Sequence, residues 1–214
     1  MTAAAKPRPD ATRTRLLSAA EQILIEQGVH ALTVRRIGAV SGLNGTLITY
    51  HFGTVAGLLA ELARCNLEPM LADWAALPGE STSGEAAGIT AILDAWLRPL
   101  LRPAAFHAGG RALIVLDEIA AHGSAPASGE VMAAMVAISE RVRTALRPHL
   151  PALDDATLRA RLRFIAGAAL GPPPRVPETS QTATGQTATG QTTLGQATLP
   201  QHDQLLQFAA AALR

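Results

Sequence analysis

Thr33 to Phe52 reads TVRRIGAVSGLNGTLITYHF, and the rest of the chain is best read outward from this stretch. Thr33 is a natural N-cap, because its hydroxyl can accept from an amide in the first helical turn. Val34, Ile37 and Val40 follow at helical spacing, so the reading has one short helix packing these three inward. Ser41-Gly42 breaks it, the glycine permitting a tight turn, and Leu43 plugs the gap between two helices. A second helix, from about Asn44 to Phe52, has Leu47, Ile48 and Phe52 as candidates for its buried side. Thr46, Thr49 and Tyr50 then point away, with Leu47 near the boundary. A capped helix, a glycine-containing break and a short polar-faced helix is the layout of a helix-turn-helix, whose second helix enters the major groove of DNA.

The residue types suit that purpose. Threonine offers a hydroxyl to base edges or phosphates and a methyl to thymine, while Tyr50 and His51 suit phosphate contact. Arg35 and Arg36 could reach the backbone, and helix N-termini at Thr33, Asn44 and Thr54 add positive dipole ends. Charge is distributed to match. Residues 1 to 64 carry seven basic side chains against four acids, giving +3, although the whole chain carries only +1. A basic excess on one small segment is the footprint of a phosphate-binding module. The expected DNA-contacting set is Arg13, Thr33, Arg35, Arg36, Asn44, Gly45, Thr46, Leu47, Thr49, Tyr50 and His51.

Upstream, residues 1–9 read as a flexible, weakly basic arm. A helix starts at Asp10, with Asp10 or Thr12 as N-cap; it carries Leu16, Leu17, Ala20, Ile23 and Leu24 and stops at Gly28. Downstream, Thr54 caps a long helix to about Ala75, kinked at Pro69. Further helical patterns occupy about 84 to 101, 109 to 121, 129 to 147 and 154 to 170, and a last helix runs from about Asp203 to Arg214, with Leu205, Leu206, Phe208 and Ala209 to pack. Between them, residues 171–202 contain a polar five-residue repeat beginning T-A-T-G-Q, too poor in apolar surface to offset its ordering entropy and therefore expected to be a mobile, disordered loop. Apolar residues make up 48% of the chain and aromatics 3%, which favours packed helices over sheets. The expected fold is all-α: a three-helix DNA-binding domain at 10–53, then a helical domain at 54–214.

Arg13, the Ala19-Ala20 pair, Gly28, T-V-R followed by Ile37, Gly42-Leu43 and L-I-T-Y-H-F-G at Leu47–Gly53 together resemble the N-terminal domain of the TetR (tetracycline repressor) family over roughly residues 10 to 62. The resemblance implies a DNA-binding transcriptional repressor, homodimeric, whose variable helical domain binds a small effector. It also implies that Leu158–Leu170, which looks like that family's penultimate helix, joins the last helix in a four-helix dimer interface. The chain departs from the pattern at three places. Thr54-Val55-Ala56 stands where Ser-Lys-Glu is common, losing a lysine at Val55 that would approach a phosphate. Gly45 replaces a usual Lys or Pro, and Arg36 replaces a frequent acid.

The remaining features set limits. One cysteine, Cys65, allows no intramolecular disulfide, and in a helical pattern it reads as a small buried thiol. The N-terminus lacks a secretory apolar stretch, and no run reaches the ~18 apolar residues a bilayer demands, so a cytoplasmic protein without membrane partners is expected. Motifs for a serine nucleophile elbow, a phosphate loop and a dinucleotide fold are missing, so no enzyme activity and no cofactor are expected. Glu118 and His122 lie four apart, but no second ligand pair accompanies them and no metal site is expected. Asn44-Gly45-Thr46 is an accidental sequon. An effector pocket is expected around Trp74, Trp96, Phe106, His107, Arg111, Asp117 and His122, with core packing the rival role for the aromatics. The alternative to a regulator with near-palindromic operator DNA as its partner is a helical small-molecule-binding protein or enzyme that has lost DNA binding.

Overall fold

A computed structural model of the chain describes residues 9–77, 88–171 and 199–214. Apolar residues at three- and four-residue spacing give nine α-helices among these residues: α1 (Pro9–Gln27), α2 (Val34–Ser41), α3 (Thr46–Phe52), α4 (Val55–Trp74), α5 (Ile89–Leu100), α6 (Ala112–His122), α7 (Ala125–Leu146), α8 (Asp155–Leu170) and α9 (Leu199–Ala212). Single 3-10 turns occupy Val29–Ala31 and Arg147–His149. Among the described residues there is no strand, only one isolated antiparallel bridge between Pro103 and Arg111. No described helix is long and apolar enough to cross a membrane.

The helix limits follow local chemistry. Thr33, Thr54 and Asp154 cap α2, α4 and α8, each side chain accepting from the backbone N–H three residues on. Thr12 does not cap α1, which already begins at Pro9; Thr12 is buried within that helix. α4 runs on through Pro69 to Trp74. α9 starts at Leu199, earlier than the expected 203, so the repeat-bearing loop ends sooner than the composition suggested. Most of that loop and most of the N-terminal arm lie outside the described residues.

One continuous apolar core joins all nine helices except in their outward faces. α1 supplies Leu16, Leu17, Ala20, Ile23 and Leu24, all nearly or fully buried, while α4 supplies Leu58, Leu62, Met70 and Trp74 and packs against α5, α6 and α7. Trp74 and Trp96 belong to this core. The Trp74 indole donates to the Trp96 carbonyl at 2.9 Å, which satisfies its one polar atom without a cavity.

Buried and half-buried carboxylates help to tie α1 to the body. Glu21 is wholly buried; its carboxylate accepts from Asn66 Nδ2 at 2.8 Å and from the Phe106 backbone N–H at 2.7 Å. Asn66 in turn accepts from the Ala105 N–H at 3.1 Å and donates to the Leu62 carbonyl. Burial pushes the Glu21 carboxyl up, opposed by these N–H donors. Charged hydrogen bonds of this kind are worth roughly 1.5–3 kcal/mol each, so the loop between α5 and α6 is held to α1 and α4 at one point. At the end of α1, Glu118 of α6 accepts from the Val29 N–H at 3.2 Å, and the His30 and His122 rings lie 5.2 Å apart.

Candidate nucleic-acid interface

Helices of eight and seven residues are too short to hold themselves, so α2 and α3 depend on what they bury. Each is pinned by one isoleucine, Ile37 and Ile48, both at 0% exposure. Leu43, Leu47 and Phe52 are half-buried against the same core, and so is Val40. Val34 departs from the expected inward stripe: it is 43% exposed. It sits in the first turn of α2, where its Cγ1 lies close to Gly45.

The turn between α2 and α3 is as tight as its composition implies. Gly42 takes the left-handed conformation at φ 65°, the Leu43 N–H donates to the Gly38 carbonyl at 3.2 Å, and the Ser41 Oγ accepts from the same N–H at 3.3 Å. Gly38, not singled out in the sequence, matters here too: a Cβ on it would meet the Leu43 carbonyl oxygen at 3.1 Å. Its signal was a small residue one turn before the break. A Cβ on Gly45 would stand 2.6 Å from Val34 Cγ1, so any larger residue here would have to displace Val34. Gly57 plays the same part at the other end of α3, where a Cβ would come within 2.1 Å of the Phe52 carbonyl oxygen.

This framework presents one stripe to solvent. Thr46, Thr49 and Tyr50 are exposed, Tyr50 to 80%, and their spacing of three and four places them together on α3. Thr33, Arg35 and Arg36 are exposed at the start of α2, and Asn44 beside α3. His51 is half-buried, its ring edge-on to Tyr50 at 4.9 Å and 6.2 Å from the Phe52 ring. Gly45 and Leu47 are half-covered.

Arg13 is engaged away from this stripe. Its guanidinium pairs with Glu61 at 2.7 Å and lies over the Phe52 ring at 4.9 Å, joining α1, α3 and α4. Arg15 likewise donates to the Ser41 carbonyl at 2.7 Å, fixing the end of α2 to α1. Neither is part of the projecting set. Arg64, and then Arg13, hold the Glu61 carboxyl down to about 2 against the opposing effect of burial. A folded value below the ordinary 4.5 means that this contribution to stability is present above pH 4.5 and fades as pH falls toward 2. Denaturant midpoints of Glu61→Gln are therefore expected to fall less steeply than wild type across that window. Parallel profiles would refute the assignment.

Of the residues expected to form an effector pocket, Trp74 and Trp96 lie in the core, joined by their hydrogen bond. Phe106 and His107 are half-buried in the loop that Glu21 holds, Asp117 is half-buried on α6, and His122 is exposed against His30. Two open cavities flank α9 instead. The larger, about 450 Å³, is lined by residues that include Arg111, Ala169, Gln204 and Phe208; the smaller, about 280 Å³, includes Asp94, Arg98 and His202. Of the seven expected residues only Arg111 borders either. Its guanidinium donates to the carbonyls of Ala169 and Leu170 at 2.6 and 2.7 Å. Aromatic residues alone cannot tell a lining from a core, and both tryptophans went to the core. Cys65 is half-buried, and burial pushes its thiol up, the opposite of a reactive thiolate. Among the described residues no group of three or more His, Cys, Asp or Glu could hold a metal ion.

Comparison with known proteins agrees with this geometry. Residues 16–62 match the family model of bacterial regulatory proteins, tetR family. No curated protein is significantly similar to the chain in sequence. Among solved structures, the TetR-family transcriptional regulator PfmR from Thermus thermophilus superposes with a TM-score of 0.61 at 16% identity, covering 94% of each chain. A protein assigned to the TetR family from Rhodococcus sp. gives 0.54 at 15% identity, covering 94% of this chain and 96% of its own. PfiT, described as a superantigen, gives 0.52 at 21% identity over 76% of this chain and 84% of its own. Such distant likenesses speak for the fold. Over residues 16–62, the segment that holds α2 and α3, the chain is similar to the tetR family of bacterial regulatory proteins, and α2 and α3 have the helix-turn-helix arrangement.

Proposed function

We propose that the chain represses transcription as a symmetric dimer that lays α3 of each protomer in a major groove of a near-palindromic operator, and that a small molecule in the helical body releases it. The stripe on α3 carries the reading. Tyr50 is 80% exposed while Ile48, two residues earlier, is fully buried, so a short helix is anchored on one side and presents an exposed aromatic, edge-on to His51, on the other. Its ring and hydroxyl are thereby open to a partner on the same stripe as Thr46 and Thr49. Thr33, Arg35, Arg36 and Asn44 would contact the sugar–phosphate backbone on either side.

The dimer is supported by α8 and α9, which pack on each other and leave Phe164 72% and Phe208 49% exposed. Gly167 and Ala168, one turn on from Phe164, are exposed as well and permit close approach of a second helix pair. The effector would enter the cavity beside α9. Arg111, at its edge, begins α6, and Glu118 on the same helix grips the Val29 N–H, so α6 offers a rigid link from cavity to reading head. A ligand that draws Arg111 off its two carbonyls would shift that link and the separation of the two α3 helices.

Selection of duplexes from a random pool by the full chain is expected to return two half-sites about one turn (~34 Å) apart, with affinity falling as salt rises. Phe164→Glu is expected to reduce the particle to the 22.2 kDa single chain and to weaken the operator complex about 100-fold or more, since two half-sites are no longer held together. A pool that yields no preferred sequence rejects DNA reading. A Phe164→Glu protein that stays dimeric rejects the interface.

A further inference from the structure

The face of α3 that reaches the groove lacks the side chains that discriminate guanine or adenine by paired hydrogen bonds. Those are Arg or Lys for the guanine edge and Asn or Gln for adenine. α3 reads Thr46-Leu-Ile-Thr-Tyr-His-Phe52 and contains none of the four. The nearest amide, Asn44, lies before α3, and its Oδ1 accepts from the Thr46 N–H at 3.0 Å, which ties the side chain to the helix start and leaves that oxygen one of its two lone pairs. Arg13 and Arg15 are tied to Glu61 and to the Ser41 carbonyl. His51 is half-buried against Tyr50. Arg35 and Arg36, on the first turn of α2, stand one helix away and serve the edge of a half-site.

What α3 does expose is apolar carbon beside hydroxyls. Thr46 and Thr49 carry methyl groups on the outward stripe, the Tyr50 ring stands in solvent, and Leu47 is partly uncovered. A threonine or tyrosine hydroxyl bonds any base and so selects weakly, whereas an apolar contact to the C5-methyl marks thymine alone in the major groove. We propose that this regulator reads its operator chiefly through thymine methyl groups, with Thr46, Thr49 and Tyr50 as the specificity-determining residues and thymine-rich steps at the centre of each half-site. The proposal rests on the DNA-binding function above and adds to it the chemical class of the sequence recognised.

Uracil offers a test that leaves the protein untouched, because it removes the C5-methyl and keeps every hydrogen-bonding group of thymine. In the duplex selected by the full chain, replacing a central thymine with uracil is expected to weaken binding about fourfold, and about fifteenfold when both half-sites are changed, the value of one or two buried methyl groups. Thr49→Ser, which deletes only the protein's methyl, is expected to cost a similar factor on the thymine duplex and nothing further on the uracil duplex. Uracil duplexes that bind as well as the parent, or a selected site whose central pairs are guanine-cytosine, overturn methyl readout while leaving DNA binding intact. A pool with no preferred sequence is a different failure, since it removes the function on which the proposal stands.

Discussion

Replacing Thr49 and Tyr50 together by alanine is expected to leave the protein folded and to weaken its operator complex about 100-fold or more, toward the non-specific level. Both side chains are exposed, Tyr50 to 80%, so their truncation removes little buried surface, and stability is expected to change by no more than about 0.5 kcal/mol each. In the proposed dimer the loss would be large because each of two half-sites would forfeit two contacts. Titration of a selected duplex, together with a thermal melt of the same preparation, checks both halves. Unchanged operator affinity in a folded double variant would show that α3 is not the reading head.

The second large effect concerns the opposite side of the same helix. Ile48→Ala is expected to cost about 2–5 kcal/mol of unfolding free energy, the range for deleting most of a fully buried aliphatic side chain. Ile48 is the only fully buried residue of the seven in α3. Helical propensity cannot replace it, because a two-turn helix does not persist without tertiary contacts. Urea unfolding followed by circular dichroism measures the cost, and a loss below about 1 kcal/mol would mean that α3 is held by something else. Comparison of the two variants separates reading from support: one loses DNA and keeps stability, the other loses stability first.

Much of this arrangement is legible in the sequence because it is local. The Thr33 hydroxyl three residues before an amide, the left-handed Gly42 and the inward Ile37 and Ile48 each follow from spacing alone. Val34 does not follow that spacing to the core: in the first turn of α2 it is 43% exposed, beside Gly45. The tertiary placements needed the fold. Whether Trp74 faces a ligand or the Trp96 carbonyl depends on α5, a helix that approaches from elsewhere in the chain. Glu21 was missed although a signal existed: it lies four residues after Leu17 and three before Leu24, so an acid occupies the buried stripe of α1. Asn66 holds the same kind of position, four residues from both Leu62 and Met70. A polar residue in an apolar register needs a partner, and these two are each other's.

That shared carboxylate bears on how such a regulator can be re-engineered. A chimera that grafts this reading head onto another regulator's body would carry Glu21 into a site without Asn66 or the Phe106 amide, leaving a negative charge sealed in hydrocarbon. The head is therefore not a modular cartridge. A transplant keeps its integrity only if the acceptor helix brings an amide to the depth of Asn66 and a backbone donor to the place of Phe106, or if Glu21 is exchanged for an apolar residue at the same time.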